Sequence, residues 1–350
     1  MKKIILSLGL ALTLSFGATL KEGVIAASKG DYKTAMPILE DFASKGDRNA
    51  QYLLGIIYMN DNVVKKDYKK AIELFKKSAS QEHIESQSIL GYIYYSGLGV
   101  KKDFKKAIDF YEKAANKGDI DAQYNLGYMY YVGNGINLDY KKSFELYEKA
   151  ALQGHAAAQH NLGNMYLYGQ GVKKDYNKAF IWFEKAAIQG NGDAQAKVAL
   201  LFERGEGIKK DYEKAIEWNE KAISKNIAEA QNNLGYMYYM GKGVNQDFKK
   251  AIELYEKAAS QNHTLAQYNL GVMYFNGQGV RQDYKKVINL WKKAALNNSV
   301  EAQYNLGFLY YSGEGVKQDK KLAKEWYGKS CDNGLQIGCD AFKDLNRSIY

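Results

Sequence analysis

Apolar residues recur along most of the chain at the spacing of a helix face. From Ala122 to Tyr131, the residues Ala122, Leu126, Met129 and Tyr130 stand at i, i+4, i+7 and i+8, one side of a helix at about 100° of turn per residue. The string returns with little change. A-Q-Y-N-L-G-Y-M-Y-Y from Ala122 compares with A-Q-N-N-L-G-Y-M-Y-Y from Ala230 and A-Q-Y-N-L-G-F-L-Y-Y from Ala302. Copies start at Ala50, Ser86, Ala122, Ala158, Ala194, Ala230, Ala266 and Ala302, each 36 residues after the last. A second run, A-I-E-L-Y-E-K-A-A at Ala251–Ala259 with close variants elsewhere, follows each copy. The pattern predicts two helices per copy, A and B. Stacked in register, they give an all-α solenoid of tandem antiparallel helix pairs, each burying its face on its neighbour.

Turn signals fall between the two runs. Glycines two apart close helix A, from Gly97/Gly99 through Gly133/Gly135 to Gly313/Gly315, and the first copy departs with Asp61 and Val63. An aspartate follows in every copy, from Asp67 and Asp103 to Asp319; its carboxylate suits the free N–H groups and the positive dipole end of helix B. Glu253/Lys257, Glu145/Lys149 and Glu217/Lys221 stand at i, i+4, so most lysines are expected on a solvated, paired face. Glycine also sits inside helix A, at Gly55, Gly91, Gly127, Gly163, Gly235, Gly271 and Gly307. A mid-helix glycine costs about 1 kcal/mol against alanine, so its recurrence implies that helix B approaches closely there. The fifth copy departs with Ala199, Lys197, Arg204 and Asn219, and altered packing or a distinct contact is expected in it.

Composition agrees with helices throughout: one proline, Pro37, among 350 residues, with 33 glycines left for turns. Lys2-Lys3, a short apolar run from Ile4 and small residues at Ser15 and Gly17 read as a secretory signal peptide over 1–17, too short for a membrane span. The expected division is then 18–49 as an N-terminal helical cap, 50–337 as eight repeats and 338–350 as a C-terminal capping helix. The product would be exported, periplasmic or secreted from a bacterium, and not membrane-spanning. A net charge of +10 favours acidic partners in principle. The regular spread of the lysines weakens that point, and export argues against nucleic acid as a partner.

The string L-G-x-M-Y-x-x-G-x-G-V-x-x-D-Y-x-K-A-x-x-x-Y-E-K-A-A, seen from Leu126 or Leu270, resembles the Sel-one-like repeat (SLR) family, a relative of the tetratricopeptide repeat. The resemblance runs from about Asp31 to Asp344. It implies a right-handed superhelix with helix A on its concave side, and a scaffold or adaptor that binds proteins or peptides. The last copy, K-S-C-D-N-G-L-Q-I-G-C, is similar to the cysteine-rich secreted bacterial members, which place a Cys-x7-Cys pair across neighbouring helices. Cys331 and Cys339, the only cysteines, stand in the columns of Ala295 and Gln303, and a disulfide stapling the free-ended last repeat is the expectation. The alternative, a metal or redox pair, lacks further ligands and C-x-x-C spacing.

Some cysteine-rich relatives are described as penicillin-binding or as beta-lactamases, so a beta-lactam-directed activity is a rival reading. S-x-x-K, S-D-N and K-T-G do not occur in the chain. His83, His155 and His263 share one repeat position and lie whole units apart, too far to share an ion; only His155 with His160 stands close, as a two-ligand pair. No catalytic residue, cofactor or metal site is assigned. A third reading uses lysine clusters such as Lys65–Lys70 to bind acidic envelope polymers.

What remains is a surface. Tyr124, Tyr128 and Tyr131 are spaced i, i+4, i+7 opposite the core stripe and recur as Tyr92/Tyr95, Tyr236/Tyr239, Tyr268 and Tyr304/Tyr311. Asn125, Asn161, Asn233, Asn269 and Asn305 form one amide column, and Gln51 through Gln303 another. Tyrosine is large, stiff and amphipathic, and amides can bond an extended backbone. The expected function is therefore a non-enzymatic scaffold holding an unidentified protein or peptide on this face. The competing expectation is that the tyrosines pack between A helices and the amides bridge repeats.

Overall fold

A computed structural model describes residues 18–60 and 63–347. The expected signal peptide and the first copy's departure at Asp61 lie outside the described residues. Among those residues every regular element is an α-helix. The chain divides into two compact units after Lys174.

The first unit holds α1 (Ala18–Lys29), α2 (Tyr32–Ser44), α3 (Arg48–Tyr58), α4 (Tyr68–Ser80), α5 (Ile84–Ser96), α6 (Phe104–Asn116), α7 (Ile120–Val132), α8 (Tyr140–Leu152) and α9 (Ala156–Tyr168). The second holds α10 (Tyr176–Ile188), α11 (Gly192–Arg204), α12 (Tyr212–Ile223), α13 (Ala228–Met240) and α14 (Phe248–Ser260). It continues with α15 (Thr264–Asn276), α16 (Tyr284–Leu296), α17 (Val300–Ser312), α18 (Lys320–Asp332) and α19 (Gln336–Arg347). Within each unit consecutive helices pack on one another. The expected all-α stack of tandem helix pairs is what forms.

The core columns are those of the sequence stripe. Ala122, Leu126, Met129 and Tyr130 are buried, as are Ala266, Leu270, Met273 and Tyr274 in the second unit. Each large apolar side chain taken out of water contributes about 1.5–3 kcal/mol before conformational entropy is counted. Helix B starts where the aspartates stand: Asp67, Asp103 and Asp139 each accept a bond from the backbone N–H three residues on. Helix A stops on left-handed glycine, as at Gly133, φ 74°. Its partner Gly135 is needed for a second reason, because a Cβ there would run into the Phe104 side chain that opens α6.

Helix A begins two residues ahead of the alanine column, and its caps are more varied. Asp47, Asp119, Asn191 and Ser299 serve in four copies. In three others the cap is histidine: Nδ1 of His83, His155 and His263 accepts the N–H of Ser86, Ala158 and Ala266 at 3.1–3.2 Å. The shared repeat position of these histidines thus has a structural cause. Ile227 alone of the eight carries no side-chain cap.

The mid-helix glycines are explained by an aromatic column on helix B. Phe75 lies against Gly55, Tyr111 against Gly91, Tyr147 against Gly127, Tyr255 against Gly235, Trp291 against Gly271 and Tyr327 against Gly307. In the fifth copy both partners change together, Ala199 standing with Asn219. Both are buried, and an asparagine smaller than the ring it replaces is compatible with a methyl group at the glycine position.

The lysines of helix B are largely engaged with rings. Lys70, Lys106, Lys142, Lys214, Lys250 and Lys286 lie 4.2–5.4 Å from the centroids of Tyr58, Tyr94, Tyr130, Phe202, Tyr238 and Tyr274. Lys221, expected beside Glu217, lies 4.2 Å from the Trp218 ring, an attraction that the ring quadrupole supplies. At the C-terminal end Cys331 and Cys339 form a disulfide joining α18 to α19, Cα–Cα 4.4 Å. Leu345 of α19 is buried while Lys343 is exposed.

Candidate functional site

The two amide columns have different fates. The glutamines, read as possible ligands for a peptide backbone, hold the repeats together instead. Gln123 donates to the Ala115 carbonyl at the end of α6 and accepts from Gln153 at the end of α8. Gln303 does the same with Ala295 and Asn333. Gln51, Gln87, Gln159, Gln195 and Gln267 donate to the equivalent carbonyl eight residues back. All are 5% exposed or less. An orphan helix-end carbonyl must be satisfied, and this column does it. The sequence shows the column but not the direction in which it points.

The asparagines are half-buried. Asn161 stands beside the Tyr124 hydroxyl and Asn305 beside the Tyr268 hydroxyl one repeat earlier; in both phenols burial raises the pKa and the amide opposes it. Asn269 donates to Asn232 at 3.1 Å, and Asn233 has a buried side-chain nitrogen without a hydrogen-bond partner. Asn125 faces a cavity described below.

The tyrosines separate by column. Tyr95, Tyr131 and Tyr239 are half-buried against the first aromatic residue of their own helix B: Tyr95 on Phe104, Tyr131 on Tyr140 and Tyr239 on Phe248, at 5.3–5.7 Å. Tyr131 and Tyr239 also donate across to the next turn, to Gln170 at 3.0 Å and Gln278 at 3.3 Å. Tyr311 holds the same column in the last repeat and is exposed. Tyr124, Tyr268 and Tyr304 lie on the aromatic column of helix B, 5.5–6.3 Å from Tyr147, Trp291 and Tyr327. In their own column Tyr92 and Tyr128 are open as well, 48% and 39% exposed. Tyr236, in the same column, is covered by Lys242, whose Nζ lies 4.5 Å from the ring.

In the first unit four of these residues converge. Tyr95, Tyr124, Asn125 and Tyr128 surround a cavity of about 190 Å³ between α5 and α7, and Tyr111 of α6 completes it. Tyr111 is 1% exposed, and its hydroxyl is buried with no hydrogen-bond partner. Burial, then the Tyr95 and Tyr92 hydroxyls, then the Asp121 and Asp119 carboxylates raise its pKa above the ordinary phenol range. Sequence reasoning passed over Tyr111 because it belongs to helix B. The signal was there: each helix A glycine is followed twenty residues later by an aromatic residue, and the two fail together at Ala199 and Asn219.

The second unit differs at the fifth copy. There Ala196, Lys197, Leu200 and Glu203 stand where the third copy has Tyr124, Asn125, Tyr128 and Tyr131. Lys197 pairs with Glu229 at 2.8 Å and Lys242 with Glu203 at 2.7 Å, the Glu203 carboxylate being 8% exposed. The aromatic face is therefore interrupted by ion pairs, the distinct packing that the sequence pointed to. Elsewhere in this unit Tyr236, Tyr239, Tyr268, Asn269, Tyr304 and Asn305 line helix A, with Tyr239, Tyr268 and Asn269 at the repeat positions of Tyr95, Tyr124 and Asn125.

Among the described residues no group of three His, Cys, Asp or Glu side chains is placed to hold a metal ion. His160 meets Asn164 at 2.9 Å. No helix among the described residues is long and apolar enough to cross a membrane.

Comparison with known proteins bears on this arrangement. No curated protein matches the chain. A solved structure of a protective antigen from uropathogenic Escherichia coli, described as displaying an SLR fold, is 33% identical with a TM-score of 0.68. The match covers 88% of this chain and 66% of the antigen, just under two thirds of its length. A Sel1 repeat protein from Oxalobacter formigenes is 30% identical with a TM-score of 0.65, over 97% of this chain and 99% of that one. The Sel1 repeat model matches residues 48–83, 84–119, 120–155, 156–191, 192–227, 228–263, 264–299 and 300–335. Each match contains one A helix and one B helix of the structure, and the chain belongs to the Sel1 repeat family.

Proposed function

We propose that this protein is an exported scaffold that holds a segment of a partner protein against the helix A face of its first unit. Sel1 repeats form a scaffold fold commonly used for protein interaction, and the choice of face rests on one observation. Tyr92 and Tyr128 stay open to solvent while Tyr95, Tyr124 and Asn125 gather beside Tyr128 around a cavity with an unpartnered hydroxyl at its base. Rigid, half-desolvated tyrosines beside polar groups are what interface anchors look like. Buried glutamines and ring-stacked lysines fix the scaffold around them, so the face arrives preorganised.

Site-specific crosslinking tests the face. A photoreactive residue at Tyr128 is expected to capture a partner in the native cell envelope, and one at Leu152, 70% exposed at the end of α8, is not. Adducts formed equally from both positions, or from neither, would remove the proposed face. Export is tested separately by sequencing the N-terminus of the mature protein, where Ala18 is the expected first residue.

A further inference from the structure

The cavity in the first unit has a composition that selects its occupant. Its wall is made of three tyrosine rings, Tyr95, Tyr124 and Tyr128, with Tyr111 beneath and Asn125 beside them. Ring faces carry negative electrostatic potential and attract cations when water is excluded. The buried Tyr111 oxygen has no donor, and an unsatisfied buried polar atom is costly until a ligand supplies one. The carboxylates of Asp121 and Asp119 are the charged groups that bear on Tyr111, and both favour a cation there. At about 190 Å³ the space lies below the ~300 Å³ where pockets for drug-sized ligands begin, which suits the end of one side chain.

The full set occurs once: across the sixth and seventh repeats Tyr239, Tyr255, Tyr268 and Asn269 hold four of the five positions, with Val272 in the place of Tyr128. The equivalent positions in the next repeat are Tyr131, Tyr147, His160, Asn161 and Asn164, and in the seventh and eighth repeats Phe275, Trp291, Tyr304, Asn305 and Phe308. In neither is the wall all tyrosine.

We propose that this cavity receives the side chain of a lysine presented by an extended partner segment, with the ammonium against the rings and donating to the Tyr111 oxygen and the Asn125 carbonyl. The stem methylenes would lie along Tyr128, the open wall. This rests on the reading of the face as a peptide-binding surface and adds what it recognises. A norleucine segment has nearly the same shape and no donor, so the cavity would discriminate by charge and not by size.

The test is a titration of the mature protein, labelled with ¹³C on its tyrosine rings, with acetyl-Gly-Lys-Gly-amide and its norleucine counterpart, followed by NMR. The lysine peptide is expected to shift the Tyr111, Tyr124 and Tyr128 signals saturably. It should bind about tenfold tighter than the norleucine peptide, the discrimination given by one hydrogen bond to a charged donor. Tyr111→Phe should shrink that difference several-fold and leave norleucine binding unchanged; Phe75 fills the same column in the first repeat, so the variant folds. Equal affinity for the two peptides, absence of shifts at these rings with lysine, or an undiminished preference in Tyr111→Phe each overturns the proposal. Because crosslinking from Tyr128 does not depend on lysine, a positive crosslink with a failed titration refutes the lysine assignment and leaves the face.

Discussion

Replacing Gly91 by alanine should destabilise the first unit, although alanine is the better helix former. A Cβ at that position would stand 2.6 Å from Cδ1, 2.7 Å from Cε1 and 2.9 Å from Cγ of Tyr111, where carbon atoms normally rest about 3.5–4.0 Å apart. Relief requires the ring of a residue 1% exposed to shift by nearly an ångström. Overpacking of that kind costs about 1–3 kcal/mol, with strain at the upper end here, against a propensity gain of about 1 kcal/mol. A net loss of about 1–2 kcal/mol is expected from these opposing terms. At Gly127 the nearest atoms, Tyr147 Cδ1 and Cε1 and Leu146 Cβ, lie at 3.0, 3.1 and 3.3 Å, so Gly127→Ala should be close to neutral. The fifth copy supplies the compensating partner, Asn219 opposite Ala199. In a Tyr111→Asn background Gly91→Ala should therefore turn neutral or stabilising, a coupling of about 1–3 kcal/mol within the range found for contacting residues. Urea unfolding of the four proteins of the cycle, with Gly127→Ala beside them, measures this. Equal losses at Gly91 and Gly127, or the same loss at Gly91 with asparagine as with tyrosine, would refute the argument.

Two further outcomes follow from other contacts. Burial lowers the pKa of His83, His155 and His263 below the ordinary 6.5, and each must be unprotonated at Nδ1 to cap its helix. Their folded values being depressed, the stability they contribute is present above the unfolded value and is lost as pH falls through the folded ones. Stability, followed as the thermal midpoint, should fall between about pH 7.5 and about pH 5, with a loss of about 1 kcal/mol per cap. The triple His→Asp variant, which copies the cap that Asp119 provides, should flatten that slope, and parallel profiles would argue against the caps as its source. Reduction of Cys331–Cys339 should cost about 2–3 kcal/mol for so short a loop. The effect should be confined to α18 and α19 in hydrogen exchange, and unchanged protection of α19 would show that Leu345 packing alone holds it.

Much of this protein was legible in its sequence. The 36-residue period, the Ala122–Leu126–Met129 stripe, the aspartate caps and the paired glycines are local requirements of helix geometry, and each recurs as the pattern states. The close approach at Gly91 was also inferable, because glycine inside a helix is unfavourable unless something presses on it. The identity of what presses was not, since Tyr111 and Gly91 meet only after the chain reverses.

The same limit applies to the surface. A column of eight glutamines looks, in sequence, as available to a ligand as a column of five asparagines. Only packing shows that Gln123 is taken up by the carbonyl of Ala115, whereas Asn125 faces open space. Tyr128, Tyr131 and Tyr124 share one helix and one residue type, yet the helix B ring of the same or the next repeat decides which is open. Periodicity fixes which side of a helix a residue is on; the neighbouring helix decides whether that side is filled. The cavity at Tyr95, Tyr111, Tyr124 and Tyr128 is assembled from three helices, so no single stretch of sequence contains it.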